Sequence, residues 1–456
     1  LSTAIHWLRR DLRLGDNTAL AAAARDFDVV IPVFVLDDHY RDDPSVGPSR
    51  FVFLRESLED LERTLARAGS RLVVRAGPAA RALPALLLET GASAVYANEE
   101  IGPYPQRRDA EARRAVEAAR AKFRLFSDCL AVDPREIATG DGRPYTVFTP
   151  FAKKWRAAEK PAPVPPPAAI ATPDLPGVSL SRVRAWRDLR RNPRAPSGGE
   201  TEACRALDAF LPRIAFYGSW RDFPGQEGTS RLSAALHFGT ISPRTILHRV
   251  KEKWRDAGPE ERQSIDVFVT ELAWREFFHA VLLHFPHVAE GAFRPELDAL
   301  DWDAPGAGYL AWTEGRTGFP FIDAAMRQLV AENWMHNRAR MAAASFLAKD
   351  LHVDWRMGER WFAYNLADAD LASNNGGWQW AAGTGVDAAP YFRVFNPVLQ
   401  GKRFDPSGDY IRRYVPELAH LSDAEVHEPR DPIVDHAREK AETIRRFERI
   451  LKKPKS

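Results

Sequence analysis

Five short, mostly apolar runs, Ala4–Leu8, Val29–Leu36, Arg71–Arg75, Ala94–Asn98 and Phe123–Ser127, alternate with amphipathic stretches in the first part of the chain. Runs of this length bounded by polar turns read as buried strands. The clearest intervening helix spans Arg50–Ala68, with Phe51, Leu54, Leu58, Leu61 and Leu65 on one stripe and Gly69 as its stop. Strands separated by helices require right-handed crossovers, so this alternation predicts a doubly wound, Rossmann-like parallel sheet. Such sheets take ligands at the carboxyl ends of their strands. Neither G-x-G-x-x-G nor G-x-x-x-x-G-K-[ST] occurs, which argues against a nucleotide dehydrogenase or a P-loop enzyme.

The alternation then stops. Pro161, Pro163, Pro165, Pro166, Pro167, Pro173 and Pro176 crowd a segment that can form neither a helix nor a central strand. After Gly199 the apolar spacing becomes helical, notably over Ser264–Phe285, Ile322–Glu332 and Trp334–Asp350. The expected architecture is therefore α/β plus all-α: an α/β domain over 1–128, a connection over 129–198 and a helical domain over 199–456. Nine of the 13 tryptophans fall between Trp254 and Trp380, so the second half is chemically distinct. With 45% hydrophobic and 28% charged residues, the chain is not of a disordered type, and no apolar run is long enough to span a membrane. Two cysteines leave no disulfide framework, thiolate zinc site or iron–sulfur cluster, which fits a cytoplasmic setting; the N-terminus has no signal-peptide core. A net charge of +2 does not by itself announce a nucleic-acid partner.

Four groups of residues could carry chemistry. Thr229, Ser230, Arg231, Leu232 and Ser233 follow a turn made by Pro224, Gly225 and Gly228, a combination suited to a pyrophosphate near a helix start; an ordinary helix cap is the alternative. Glu271, Trp274, Arg275 and Phe278 share a helical face, either as a buried aromatic with snorkelling charges or as a stacking platform for a base. Trp334 to Arg338, then Arg340 and Met341, read as the beginning of the next helix, and Asn337 with Arg338 could address base edges or phosphates. His336 alone reads as a packing histidine. Asp368 and Asp370, two apart on an expected helix, would point away from each other, so an arginine or a ligand N–H suits them better than a metal. Gly376 and Gly377 beside Trp378 and Trp380 suggest close approach of backbone to a flat ligand.

Together these residues resemble the photolyase and cryptochrome flavoprotein family over nearly the entire chain. Arg9-Arg10-Asp11-Leu12-Arg13 is similar to its first-strand motif, Thr229–Ser233 to its flavin phosphate loop and Asp368–Trp380 to its isoalloxazine site. Within the family, Glu271, Trp274, Asn337, Arg338 and Met341 match the bacterial class I enzymes that act on cyclobutane pyrimidine dimers. Relatives that repair the six-four photoproduct carry His in place of Asn337, and DASH cryptochromes usually carry Gln in place of Met341. The resemblance implies that reduced FAD, excited by blue light, donates an electron to the dimer in UV-damaged DNA and recovers it after splitting. The cofactor carries the hard chemistry, and the lesion must be flipped out to reach it.

Carried over by position, Tyr217, Thr229, Ser230, Arg231, Leu232, Ser233, Arg275, Arg340, Asp368, Asp370 and Asn374 would hold FAD, with Asn374 facing the reactive ring nitrogen. Glu271 would bond the dimer. Trp274, Trp380, Asn337, Arg338 and Met341 would surround the flipped bases. Trp378, Trp355 and Trp302 would relay electrons from the surface to oxidised FAD. Asn333 stands where close relatives carry Gly, and Tyr104-Pro105 where folate-binding relatives carry Asn-Glu. The resemblance therefore favours a deazaflavin over methenyltetrahydrofolate as a second, antenna chromophore. A monomer with no membrane association and no obligate protein partner is expected. The competing class is a cryptochrome photoreceptor without repair activity, against which the chain's end soon after Pro432–His436 leaves no long signalling tail.

Overall fold

The computed structural model describes residues 1–180 and 189–452; residues 181–188 of the expected connection lie outside it. Strands β1 (Thr3–Leu8), β2 (Val29–Leu36), β3 (Val73–Ala76), β4 (Ala94–Asn98) and β5 (Lys122–Phe126) form one all-parallel sheet in the order β3-β2-β1-β4-β5. Helices α1 (Thr18–Asp26) and α2 (Pro48–Arg67) cover one face, and α3 (Ala79–Thr90) and α4 (Pro103–Ala118) the other. Burial on both faces explains why these strands are apolar runs rather than alternating ones. Helix α2 opens on Pro48, where a missing N–H costs nothing, and Gly69 beyond its end takes φ +75°.

The segment after β5 is not a simple spacer. Helix α5 (Phe148–Ala157) sinks Phe148, Phe151, Ala152 and Trp155 into the core of the helical part. The proline-rich stretch then runs without helix or strand back across the α/β domain, where Ala171 O accepts from Val30 N and Val74 O from Val178 N. The helical part is laid out by α6 (Ser233–Phe238), α7 (Pro259–His284), α8 (Pro320–Glu332), α9 (Asn337–Lys349), α10 (Trp355–Asn365), α11 (Leu371–Ala382) and α12 (His436–Leu451).

The halves meet closely. The Phe238 ring stacks on Phe53 at 4.8 Å. Gly239 ends α6 at φ +62°, and a Cβ there would lie 1.9 Å from Arg10 O, so only glycine allows the approach. Beside it, Arg13 bonds Gly239 O and pairs with Asp128, which in turn pairs with Arg244 of the helical part, all of them buried.

Candidate functional site

A cavity of about 540 Å³ opens between α6, α7, α9 and α11. That is the size of a small-molecule site. Every residue expected to hold FAD or the lesion lines it; of the three relay tryptophans Trp378 does, and Trp355 and Trp302 do not.

At one end sits the Thr229–Ser233 loop. Arg231 takes φ +51°, uncommon for a side-chain-bearing residue, and its guanidinium is held over the Trp334 ring at 4.3 Å and by Glu332 at 3.1 Å. Arg275 reaches the same space from α7. It forms no ion pair among the described residues and donates instead to Cys129 O (3.1 Å) and Leu236 O (3.4 Å), so its charge remains available to an anion.

The acidic end corrects the reading of the sequence. Asp368 and Asp370 precede α11 rather than lying on it, because Asp370 is its N-cap and accepts from Ser373 N at 3.0 Å. Asp368 Oδ2 accepts from Arg340 at 2.8 Å, while its buried Oδ1 has no partner. Asp370 pairs with Arg10 from the α/β domain and lies 3.4 Å from His279 and 3.6 Å from His237. Burial opposes its charge, but His279, Arg10 and the bonds to both histidines outweigh it and hold the carboxyl well below the usual range. Burial, reinforced by Arg10, pushes His237 down to about 4.

The expected helix start at Trp334 is also corrected. His336 is the N-cap of α9, its Nδ1 accepting from Arg338 N at 3.1 Å, and α9 begins at Asn337. Trp334 and Met335 belong to the connection before it, which begins at Asn333, the C-cap of α8 at φ +50°, a conformation asparagine tolerates. Asn333 also ties the chain together: its Oδ1 accepts from Asn192 at 3.0 Å and its Nδ2 donates to Asn365 O at 3.0 Å.

At the mouth, Glu271 pairs with Arg221 at 2.5 Å and Arg338 with Asp222 at 2.6 Å. Asn337 Nδ2 and Arg338 Nη1 approach Met341 Sδ at 3.7 and 3.8 Å. Half-buried Trp274 and Trp380 face the cavity from α7 and α11. Of the two glycines, Gly376 allows Phe278 to pack against α11, since a Cβ would meet its ring at 2.2 Å, whereas a Cβ on Gly377 would meet nothing within 4 Å. Gly377 is thus the one open to a ligand. Asn374 is fixed by a bond from its Nδ2 to Glu359 O at 3.1 Å.

Of the three tryptophans, Trp378 and Trp355 are buried and Trp302 is half-buried. Trp378 has the Phe362 ring at 4.9 Å and the Trp312 ring at 6.1 Å. Arg221, His237, His279, Trp312 and Phe148 escaped sequence reasoning, because none lies in a local run with the residues it serves.

A second cluster marks the strand ends beside β1 and β4, where the sheet's winding reverses. Arg9 lies over the Trp7 ring at 4.2 Å, Arg108 over the same ring at 5.0 Å, and Tyr104 stacks on His39 at 3.8 Å while donating to Asp37 at 2.5 Å.

The α/β domain is thus clamped to a helical one whose cavity brings together the Thr229–Ser233 loop, a buried carboxylate oxygen without a partner and two half-buried indoles. Residues 4–168 match the DNA photolyase family, and 268–449 the FAD binding domain of DNA photolyase. A deoxyribodipyrimidine photo-lyase of Halobacterium salinarum is 42% identical over 98% of both chains. Among solved structures, a class III photolyase from Agrobacterium tumefaciens superposes with a TM-score of 0.92 at 38% identity, covering 99% of this chain and 98% of that one. An archaeal photolyase from Sulfolobus tokodaii, described with two FAD molecules, gives 0.86 at 32%, covering 98% and 100%. The chain belongs to the DNA photolyase family.

Proposed function

We propose that this chain is a light-dependent repair enzyme that splits cyclobutane pyrimidine dimers in UV-damaged DNA. The observation that carries the reading is one cavity lined together by Trp274, Trp380 and Glu271 and by Arg275, Asn374 and Asp368, whose buried Oδ1 has no partner. Arg275, Asp368 and Gly377 fit FAD: a cation without an ion pair suits a pyrophosphate, a buried acceptor suits a ring N–H, and Gly377 leaves its backbone open to a flat ring. The chemistry the flavin supplies when bound is light-driven donation of one electron to the dimer and its recovery after splitting. The residues of the chain do the rest. Trp274 and Trp380 stack on the flipped bases, and that contact offsets the few kcal/mol of unstacking, which is lower for a damaged step. Glu271 accepts from the imide N–H edge of the dimer, with Arg221 balancing its charge. Asn337, Arg338 and Met341 close the pocket without a titrating group at position 337, consistent with dimers rather than six-four products. Trp378, Trp355 and Trp302 serve photoactivation.

A second chromophore belongs to the same proposal. It would sit in the α/β domain, and a deazaflavin is favoured over methenyltetrahydrofolate because Tyr104-Pro105 stands where folate-binding relatives carry Asn-Glu; Arg9 and Arg108 of the Trp7 cluster are already paired with Glu100 and Asp109. The enzyme is taken to act as a cytoplasmic monomer; no described helix is long and apolar enough to cross a membrane. The test is repair of oligonucleotides carrying either lesion, with and without blue light. Dimers should be restored only in light and six-four products left intact; repair in the dark, or of six-four products alone, refutes the reading.

A further inference from the structure

Behind Trp274, on the side away from the cavity, the Phe148 ring lies parallel to the indole, with centroids 3.6 Å apart and planes inclined by 9°. It comes from α5, 126 positions earlier in the chain, in the segment that joins the two domains. Phe148 is itself fixed from a third direction, since its backbone N–H donates to Asp387 Oδ2 at 2.9 Å. Asp387 sits in the loop after α11 at φ +45°, the left-handed region, where a side-chain-bearing residue persists only if its surroundings hold it. Two residues on, Ala389 N donates to Trp380 O at 3.3 Å. One loop therefore bonds the backbone of Phe148, whose ring backs Trp274, and the backbone of Trp380.

We infer that Phe148 and Asp387 are positioning residues that set the orientation of Trp274, and so decide how well a flipped dimer is gripped. The inference rests on the proposed stacking role of Trp274. An indole stacked on one face is free to pivot about χ1 and χ2; stacking its rear face as well leaves one orientation, and a ring held in place loses less freedom when a base docks. The Phe148 N–H also serves the first turn of α5, where helical donors lack intrahelical partners, so Asp387 satisfies an otherwise orphaned group while fixing the ring above it. Strain at Asp387 is accepted because glycine, which would relieve it, has no side chain to take this bond.

The test measures binding in the dark, on FAD-loaded protein, of a dimer-containing duplex and of the same duplex undamaged, in Phe148→Leu, Asp387→Ala, Asp387→Gly, Asp387→Asn and Trp274→Ala. Phe148→Leu should weaken dimer binding about three- to tenfold, the cost of immobilising one freed side chain on docking, with binding of undamaged DNA and FAD content unchanged. Asp387→Ala and Asp387→Gly should do the same, although glycine removes the backbone strain, and Asp387→Asn, which keeps an acceptor and tolerates the conformation, should bind within about twofold of wild type. If Asp387→Gly binds dimers as well as wild type, the bond to Phe148 is irrelevant and the inference fails. It fails equally if Phe148→Leu lowers dimer binding, undamaged-DNA binding and FAD content in parallel, since that is loss of packing only. If Trp274→Ala weakens dimer binding and Phe148→Leu does not, the positioning role alone is overturned. If Trp274→Ala is also silent, the proposed pocket falls with it.

Discussion

Lowering the pH should destabilise the folded chain through His336, and the size of the effect follows from its surroundings. The ring is buried, its Nδ1 accepts from Arg338 N, and its Nε2 has no partner. Protonation would place a charge in that environment and convert the capping acceptor into a donor. Burial accordingly pushes His336 down to about 4 from an ordinary 6.5. In this window the unfolded chain binds the proton and the native one does not, so the stabilisation is complete above 6.5 and is lost as pH falls toward 4. The loss amounts to about 3 kcal/mol, at about 1.4 kcal/mol per pH unit. Urea unfolding between pH 8 and 4 should be compared in wild type and His336→Asn, a substitution that keeps a capping acceptor and does not titrate. At pH 8 the variant should be less stable by about 1–2 kcal/mol from lost packing. Toward pH 4 the wild type alone should lose the extra 3 kcal/mol. Other buried groups titrate equally in both proteins and cancel in the difference. Stability curves that stay parallel over the whole range would refute the argument.

Asp370→Asn keeps the cap of α11 but removes the charge opposite Arg10; it should cost about 2–3 kcal/mol, below the ~3–5 of a fully buried pair because Arg10 is partly exposed, and should lower FAD retention on gel filtration. Trp378→Phe should abolish light-driven reduction of oxidised FAD with an external thiol, while enzyme reduced beforehand with dithionite repairs dimers at close to the wild-type rate; normal photoreduction would remove Trp378 from the relay. Arg338→Ala should flatten the salt dependence of DNA binding by about one unit of log–log slope, measured by anisotropy titration. Because Asp222 also loses its partner there, Asp222→Asn in the wild-type background should leave that slope unchanged.

The elements legible in the sequence were those whose own residues dictate them. All five strands fall within two residues of the predicted runs, and α2 follows its leucine stripe, because burial on a fixed periodicity leaves its mark locally. Helix beginnings were less legible: Asp370 and His336 were read as helical when they are caps, since a capping residue and a first-turn residue differ only in backbone angles. The cavity residues were legible through their motifs, but their partners were not. Arg10 reaches Asp370 across 360 positions and Phe148 reaches Trp274 across 126, distances that no local pattern encodes. The aromatic spacing of Phe148 and Phe151 was the one available sign that the segment before the prolines belongs to a core.

The tight seam at Gly239, with the buried chain from Arg13 through Asp128 to Arg244, bears on how the molecule comes apart. Detaching the α/β domain would leave these charges without partners in a surface shaped to a backbone that is no longer there, at a cost of several kcal/mol. Neither half should then have a melting temperature of its own. Calorimetry of the intact chain should give a single endotherm whose measured enthalpy equals the van't Hoff value. A protease cut in the proline-rich stretch should leave two fragments that still migrate together until denaturant separates them.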